Sequence, residues 1–234
     1  MNNVLEKWRG GLIVSCQAPA GSPLARPEII AAFAETAEAN GAVGVRIDAP
    51  ENIRAVKERI DIPVLGIYKI VTDQSEVYIT PTISAARSIA DAEADVLALD
   101  ATARPRPDNA QIDRIVEQIR REFDRPLAAD IATFDEGINA AEKIGFDVVI
   151  TTLSGYTDET KNIIEPDFAL VERLARRVSV PVICEGRLST AEEVKRAFDC
   201  GAFAVVVGGA ITGVDGLVRK FAAALPSNKK AVVN

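Results

Sequence analysis

Short apolar runs recur along the chain at Leu12–Gln17, Val43–Ile47, Val64–Tyr68, Val96–Asp100, Leu127–Asp130, Val148–Thr151, Val182–Glu185 and Ala204–Val207. Most are continuous rather than alternating, as parallel strands buried on both faces are. Helix-like segments lie between them, among them Pro27–Ala39, Asn109–Glu122, Phe134–Lys143, Asp167–Val178 and Ala191–Asp199. Successive runs begin roughly 20 to 35 residues apart, the length of one strand-plus-helix unit. Such units fill the chain, so the pattern predicts one α/β domain over residues 1–225, a closed (β/α)8 TIM barrel rather than an open doubly wound sheet. The segment Pro226–Asn234 is expected to be a flexible polar tail.

Local punctuation agrees. Pro63, Pro126 and Pro181 each stand at the head of an apolar run, where a residue without an N–H costs the ladder least. Asn40-Gly41, Gly145 and Cys200-Gly201 fall where a left-handed cap would end a helix. Two connections, Ile70–Thr82 and Thr152–Pro166, are longer than usual. Both follow strands, which places them at the catalytic face of a barrel as candidate lids.

Composition narrows the chemistry. The 234 residues carry a net charge of −7 with no basic run, which argues against nucleic acid as a partner. An acidic protein that binds an anion must gather its positive potential in one pocket. No apolar stretch approaches the roughly 20 residues of a membrane span. Met1–Arg9 reads as polar and charged, and no secretory leader is evident, so a cytoplasmic location is expected. Cys16, Cys184 and Cys200 lack metal or redox spacing and read as reduced core thiols. Histidine is absent, so proton chemistry falls to Lys, Asp, Glu or Tyr. With no histidine and no dense carboxylate cluster, neither a metal nor any other cofactor is expected.

In a barrel the reacting groups collect where strands end. Those positions here are Gln17, Arg46, Lys69, Asp100, Asp130, Thr151, Glu185 and Gly208. Lys69 reads as a base, as a Schiff-base amine, or as a solvated lysine opening a long loop. Glu185 follows three apolar residues, where a carboxylate is costly unless used or paired. Asp130 is similar, with an ion pair to Arg46 or Lys69 as the plainer role. Asp100 serves equally well as a structural acceptor. Glu185-Gly186-Arg187 and Gly208-Gly209 follow the last two apolar runs, the usual place for a phosphate held by backbone N–H groups.

On these residues the chain resembles the N-acetylmannosamine-6-phosphate 2-epimerases of bacterial sialic acid catabolism. The resemblance runs through Gly11–Gln17, Gly44-Val45-Arg46, Gly66–Lys69, Tyr78–Thr82, Ala98–Thr102 with Arg104–Pro107, and Asp130–Thr133. It continues through Thr151–Thr157, Glu185–Arg187 and Gly208–Thr212. It implies a phosphate-binding barrel that epimerises a phosphosugar at C2, with Lys69 and Glu185 exchanging protons. It implies that Gln17, Arg46, Asp130 and Thr151 hold the substrate, and that Gly186, Arg187, Gly208 and Gly209 bind its phosphate. Gly213 stands where the family often has arginine, and Asp48 where an amide or small residue is commoner. A Schiff-base lyase and a silent phosphosugar-binding protein are the competing functions. A nicotinamide dehydrogenase is disfavoured, because no G-x-G-x-x-G opens a helix after the first strand. Exposed helix faces are expected to pair two barrels as a homodimer.

Overall fold

In the computed structural model, which describes residues 3–73 and 75–226, each apolar run is a strand within a residue or two of its expected limits. The strands are β1 (Leu12–Cys16), β2 (Gly44–Asp48), β3 (Val64–Ile67), β4 (Val96–Asp100), β5 (Leu127–Asp130), β6 (Val148–Ile150), β7 (Val182–Glu185) and β8 (Ala204–Val207). All pair in parallel and in sequence order, and β8 closes on β1 through Ile13 opposite Val206.

The helices between them are α2 (Pro27–Ala39), α3 (Pro50–Lys57), α4 (Ile83–Asp91), α5 (Ile112–Glu122), α6 (Phe134–Ile138), α7 (Phe168–Arg177), α8 (Ala191–Asp199) and α9 (Val214–Ala223), preceded by the short α1 (Asn3–Glu6). Thr133 with Glu136 and Thr190 with Glu193 form reciprocal capping boxes that start α6 and α8. Two helices differ from the expected pattern. The segment from Asn109 becomes regular α-helix only at Ile112, after a 3₁₀ turn at Pro107–Asn109. The helix begun at Phe134 widens into a π-turn over Asn139–Ile144 and stops at Gly145, φ +86.

Two apolar layers result. The strands' outward faces pack under the helices through residues such as Val45, Val64, Leu97, Ala129 and Val149. The inward faces fill the barrel with Ile13, Leu65, Ile67, Val96, Ala98, Ala128, Val148, Ile150, Ile183 and Val206. The N-terminal segment, polar as sequence, supplies the floor of this inner core. Leu5 and Trp8 are both buried there. Gly44 makes room for the plug, since a Cβ at that position would lie 2.4 Å from Trp8 Nε1.

The last helix departs from the rest. None of its residues is buried, and Val214, Val218, Phe221 and Leu225 form an exposed apolar stripe at helical spacing. The expected tail lies outside the described residues from position 227 onward. Among the described residues no helix is long and apolar enough to cross a membrane.

Candidate active site

Side chains alternate along a strand, so positions two apart share a face. The inward columns read Ile13–Ser15–Gln17, Gly44–Arg46–Asp48, Leu65–Ile67–Lys69, Ala128–Asp130 and Ile183–Glu185. Apolar residues in these columns fill the barrel, and polar ones close its C-terminal mouth. There a cavity of about 720 Å³ is lined by Gln17, Arg46, Lys69, Tyr78, Thr152 and Glu185. Gly186, Arg187, Gly208, Gly209, Thr212 and Lys220 line it as well. That is the size of an ordinary small-molecule site.

Arg46 anchors the floor. Its side chain is 1% exposed and makes a two-pronged pair with Asp130, Nη1 to Oδ1 at 2.9 Å and Nη2 to Oδ2 at 2.8 Å. Nη1 also donates to Glu185 Oε2 at 3.0 Å. Burial opposes the guanidinium's charge, but Asp130 and Glu185 outweigh it and raise its pKa. Asp130 itself is fully buried under Arg46, outside the cavity lining.

Glu185 lies on the cavity wall with its pKa raised, burial being the main cause and Asp130 adding to it against Arg46. Thr152 Oγ1 contacts both Asp130 Oδ1 and Glu185 Oε2. A hydroxyl has one proton to give. With Asp130 as its acceptor, the contact to Glu185 is satisfied when Glu185 itself carries a proton.

Lys69 stands across the mouth at the end of β3. Solvent reaches it through the open cavity, yet protein surrounds it on most sides and that burial lowers its pKa. Asp48 opposes the shift most strongly, Arg46 reinforces it, and Glu185 and Asp130 oppose it weakly. The side-chain nitrogen donates to Gln17 Oε1, whose amide nitrogen donates to Ser15 Oγ at 2.8 Å. Asp48 Oδ1 accepts the backbone N–H of Lys69 at 2.9 Å, which fixes the chain where the strand has ended. Burial raises the pKa of Asp48 as well.

Gln17, Arg46, Lys69, Glu185, Gly186, Arg187, Gly208 and Gly209 therefore meet at one cavity, with Asp130 beneath it. Thr151 is turned away: its hydroxyl donates to the carbonyl of Glu185 at 2.9 Å and accepts that residue's N–H. Its neighbour Thr152 faces the cavity instead. Period-2 alternation continues the inward positions Val148 and Ile150 to Thr152, but a run apolar at every position does not show in the sequence which phase faces inward. Asp100 is a structural acceptor, taking bonds from Arg104, the Thr102 hydroxyl and the Thr102 N–H. Arg187 lines the cavity while its two terminal nitrogens donate to the carbonyls of Ser154 and Gly155, each at 2.8 Å. Its guanidinium also lies 4.1 Å from the ring centroid of Tyr156. Gly213 is required by its turn, because a Cβ there would lie 2.5 Å from the Gly209 carbonyl oxygen. Among the described residues no group of Cys, Asp or Glu is arranged to hold a metal ion.

Comparison with known proteins follows the same outline. The family model "NanE: Putative N-acetylmannosamine-6-phosphate epimerase" matches residues 30–227. Two similar curated proteins are both named "Putative N-acetylmannosamine-6-phosphate 2-epimerase". The one from Synechococcus elongatus is 48% identical over 94% of this chain and 96% of its own length. The one from Caldanaerobacter subterraneus is 44% identical over 94% of this chain and 92% of its own. The solved N-acetylmannosamine-6-phosphate 2-epimerase from Clostridium perfringens superposes with a TM-score of 0.90 at 42% identity, covering 96% of this chain and 97% of that one. FabK from Thermotoga maritima shares the fold alone, with a TM-score of 0.58 at 18% identity over 88% of this chain and 60% of that one.

Proposed function

We infer the reaction from two premises: the chain belongs to the N-acetylmannosamine-6-phosphate epimerase family, and its barrel mouth joins an amine and a carboxyl at one cavity. The enzyme interconverts N-acetylmannosamine 6-phosphate and N-acetylglucosamine 6-phosphate by inverting C2. In the open-chain sugar C2 lies next to the aldehyde, so its C–H is acidic. Neutral Lys69 takes that proton, and the electron pair moves onto the C1 oxygen as an enolate. Protonated Glu185 returns a proton to the opposite face of C2, and the carbonyl re-forms. The enzyme is then left with an ammonium and a carboxylate, which exchange protons with solvent before the next turnover.

One observation carries this reading. The two groups face one cavity and their pKa values are displaced toward each other, the amine down and the acid up, mainly by burial. Arg46 and Asp130 hold Glu185 in place, and Gln17 orients Lys69. Thr151 acts on substrate only through the backbone of Glu185. The phosphate binds at the other end of the cavity, against the turns at Gly186 and Gly208-Gly209, as in phosphate-binding barrels generally. Arg187 adds positive charge there while bracing the loop after β6, and Lys220 adds a second cation.

The test is turnover of N-acetylmannosamine 6-phosphate in deuterium oxide. Deuterium enters C2 of the product, and borohydride added during turnover traps no covalent adduct. Product without deuterium, or a trapped adduct, overturns the two-group scheme. The exposed stripe on α9 supports a homodimer in which a second copy covers Phe221, 72% exposed in the single chain. Phe221→Asp then yields monomers in sedimentation, whereas a parent chain that already sediments as a monomer refutes the pairing. The three free cysteines suit a reducing cytoplasm.

A further inference from the structure

We propose that the phenol of Tyr78 donates a hydrogen bond to the sugar's C1 oxygen as C2 loses its proton, which makes Tyr78 a catalytic residue beside Lys69 and Glu185. This rests on the epimerase reading and supplies a part that reading lacks. Removing the C2 proton places negative charge on the C1 oxygen, and a barrier of this kind falls when a fixed donor meets that charge.

The long loop after β3 folds back on itself and brings Tyr78 beside the base. Lys69 bridges Ile79 in antiparallel fashion, the Ile70 N–H donates to the Tyr78 carbonyl at 2.9 Å, and the Thr80 N–H to the Tyr68 carbonyl at 2.8 Å. The Thr80 hydroxyl accepts the Tyr68 N–H at 3.1 Å, which ties the returning strand to β3 a second time. Tyr78 is thus held by backbone bonds rather than by loop packing alone. Its side chain lines the same cavity as Lys69 and Glu185.

Most neighbouring side-chain donors already have an acceptor. Arg46 Nη1 bonds Asp130 and Glu185 and Nη2 bonds Asp130, and the Gln17 amide gives one N–H to Ser15. The Thr152 hydroxyl is spent on Asp130, and Arg187 on two carbonyls of the loop after β6. Tyr156 is more than half exposed and lies against Arg187. The Tyr78 hydroxyl has no protein partner among the described residues. Burial and the carboxylates of Asp130 and Asp100 keep it protonated, against the weaker pull of Arg104 and Arg46. It transfers no proton in this scheme: it stabilises the enolate oxygen and is unchanged at the end of the cycle.

The test is Tyr78→Phe in the full chain, assayed with N-acetylmannosamine 6-phosphate beside the parent. A lost oxyanion donor lowers kcat by about 100-fold, with KM within about threefold. Deuterium entry at C2 slows by the same factor, because the enolate is what has become harder to form. Turnover within about threefold of the parent, or a raised KM at unchanged kcat, overturns the proposal. As a second readout, fluorinated tyrosine placed at position 78 lowers the phenol's pKa. A high-pH fall in kcat that moves to lower pH with added fluorine supports the donor role, and an unmoved profile overturns it. A parent chain that does not turn over this sugar phosphate overturns the epimerase reading itself, a result visible before any variant is made.

Discussion

At the floor of the barrel the inward positions are Ile13, Gly44, Leu65 and Val96, sealed from below by Trp8 and Leu5. Two to four residues further along the same strands, the inward positions are Gln17, Arg46, Lys69 and Asp100. One end is dry and filled; the other holds a buried ion-pair network around an open cavity. The strands have the same twist and register at both ends, so the difference lies in what surrounds each end. The floor is closed by a short N-terminal segment that contributes apolar volume. The mouth is ringed by loops that leave room for a ligand and give buried charges partners. The reacting groups are thus confined to one end of the axis, as the barrel architecture favours.

Substitutions can test that separation. The largest effect is expected at the mouth: Lys69→Ala lowers turnover by about 10²- to 10⁴-fold, the range of a lost acid–base group, while thermal unfolding stays near the parent's. Glu185→Gln behaves similarly, and near-normal turnover in either variant removes that residue from the scheme. Arg46→Met tests whether the mouth also carries stability. It strands Asp130 as a buried charge without its partner, and urea unfolding registers a loss of about 3 to 5 kcal/mol. At the floor, Gly44→Ala forces a methyl against the Trp8 indole. It costs about 1 to 3 kcal/mol of stability while kcat in the folded protein is unchanged; a fall in kcat would mean that the two ends are coupled.

The smallest expected effect is a titration. Lys69 must be neutral to act as base, so kcat/KM rises with pH as that amine loses its proton. Asp48 is the carboxylate that most strongly favours the ammonium. Asp48→Asn keeps an oxygen to accept the Lys69 N–H but removes the charge, so the amine becomes neutral at lower pH. The ascending limb therefore moves to lower pH. Arg46 on β2, Glu185 on β7, Asp130 on β5 and the Gln17 amide just past β1 still face the amine and keep the shift small. An unmoved limb leaves Asp48 as a backbone anchor only.

Much of this was legible in the chain. Continuous apolar runs marked the strands because a strand covered on both faces has no polar side to show. The polar residues closing most runs marked the mouth, because a charge at a strand end is costly unless paired or used. Thr152 rather than Thr151 lines the cavity, and the run Val148-Val149-Ile150, apolar at every position, gave no sign of which alternate residues face inward. The buried N-terminal plug could not be read from Met1–Arg9, because Trp8 and Leu5 stand among charged residues without any periodic pattern. The contacts of Arg187 were equally unreadable, because its terminal nitrogens donate to the carbonyls of another loop.

The sequence by itself determined the order of strands and helices and the residues available at the mouth, since these follow from the spacing of apolar runs and chain polarity. Tertiary structure decided which carboxylate Arg46 grips, that Asp100 is spent on Arg104 and Thr102, and that Tyr78 returns beside Lys69. It also decided the opposite displacement of the Lys69 and Glu185 pKa values. Those outcomes depend on distances and burial between groups remote in sequence, and only closing the barrel sets them.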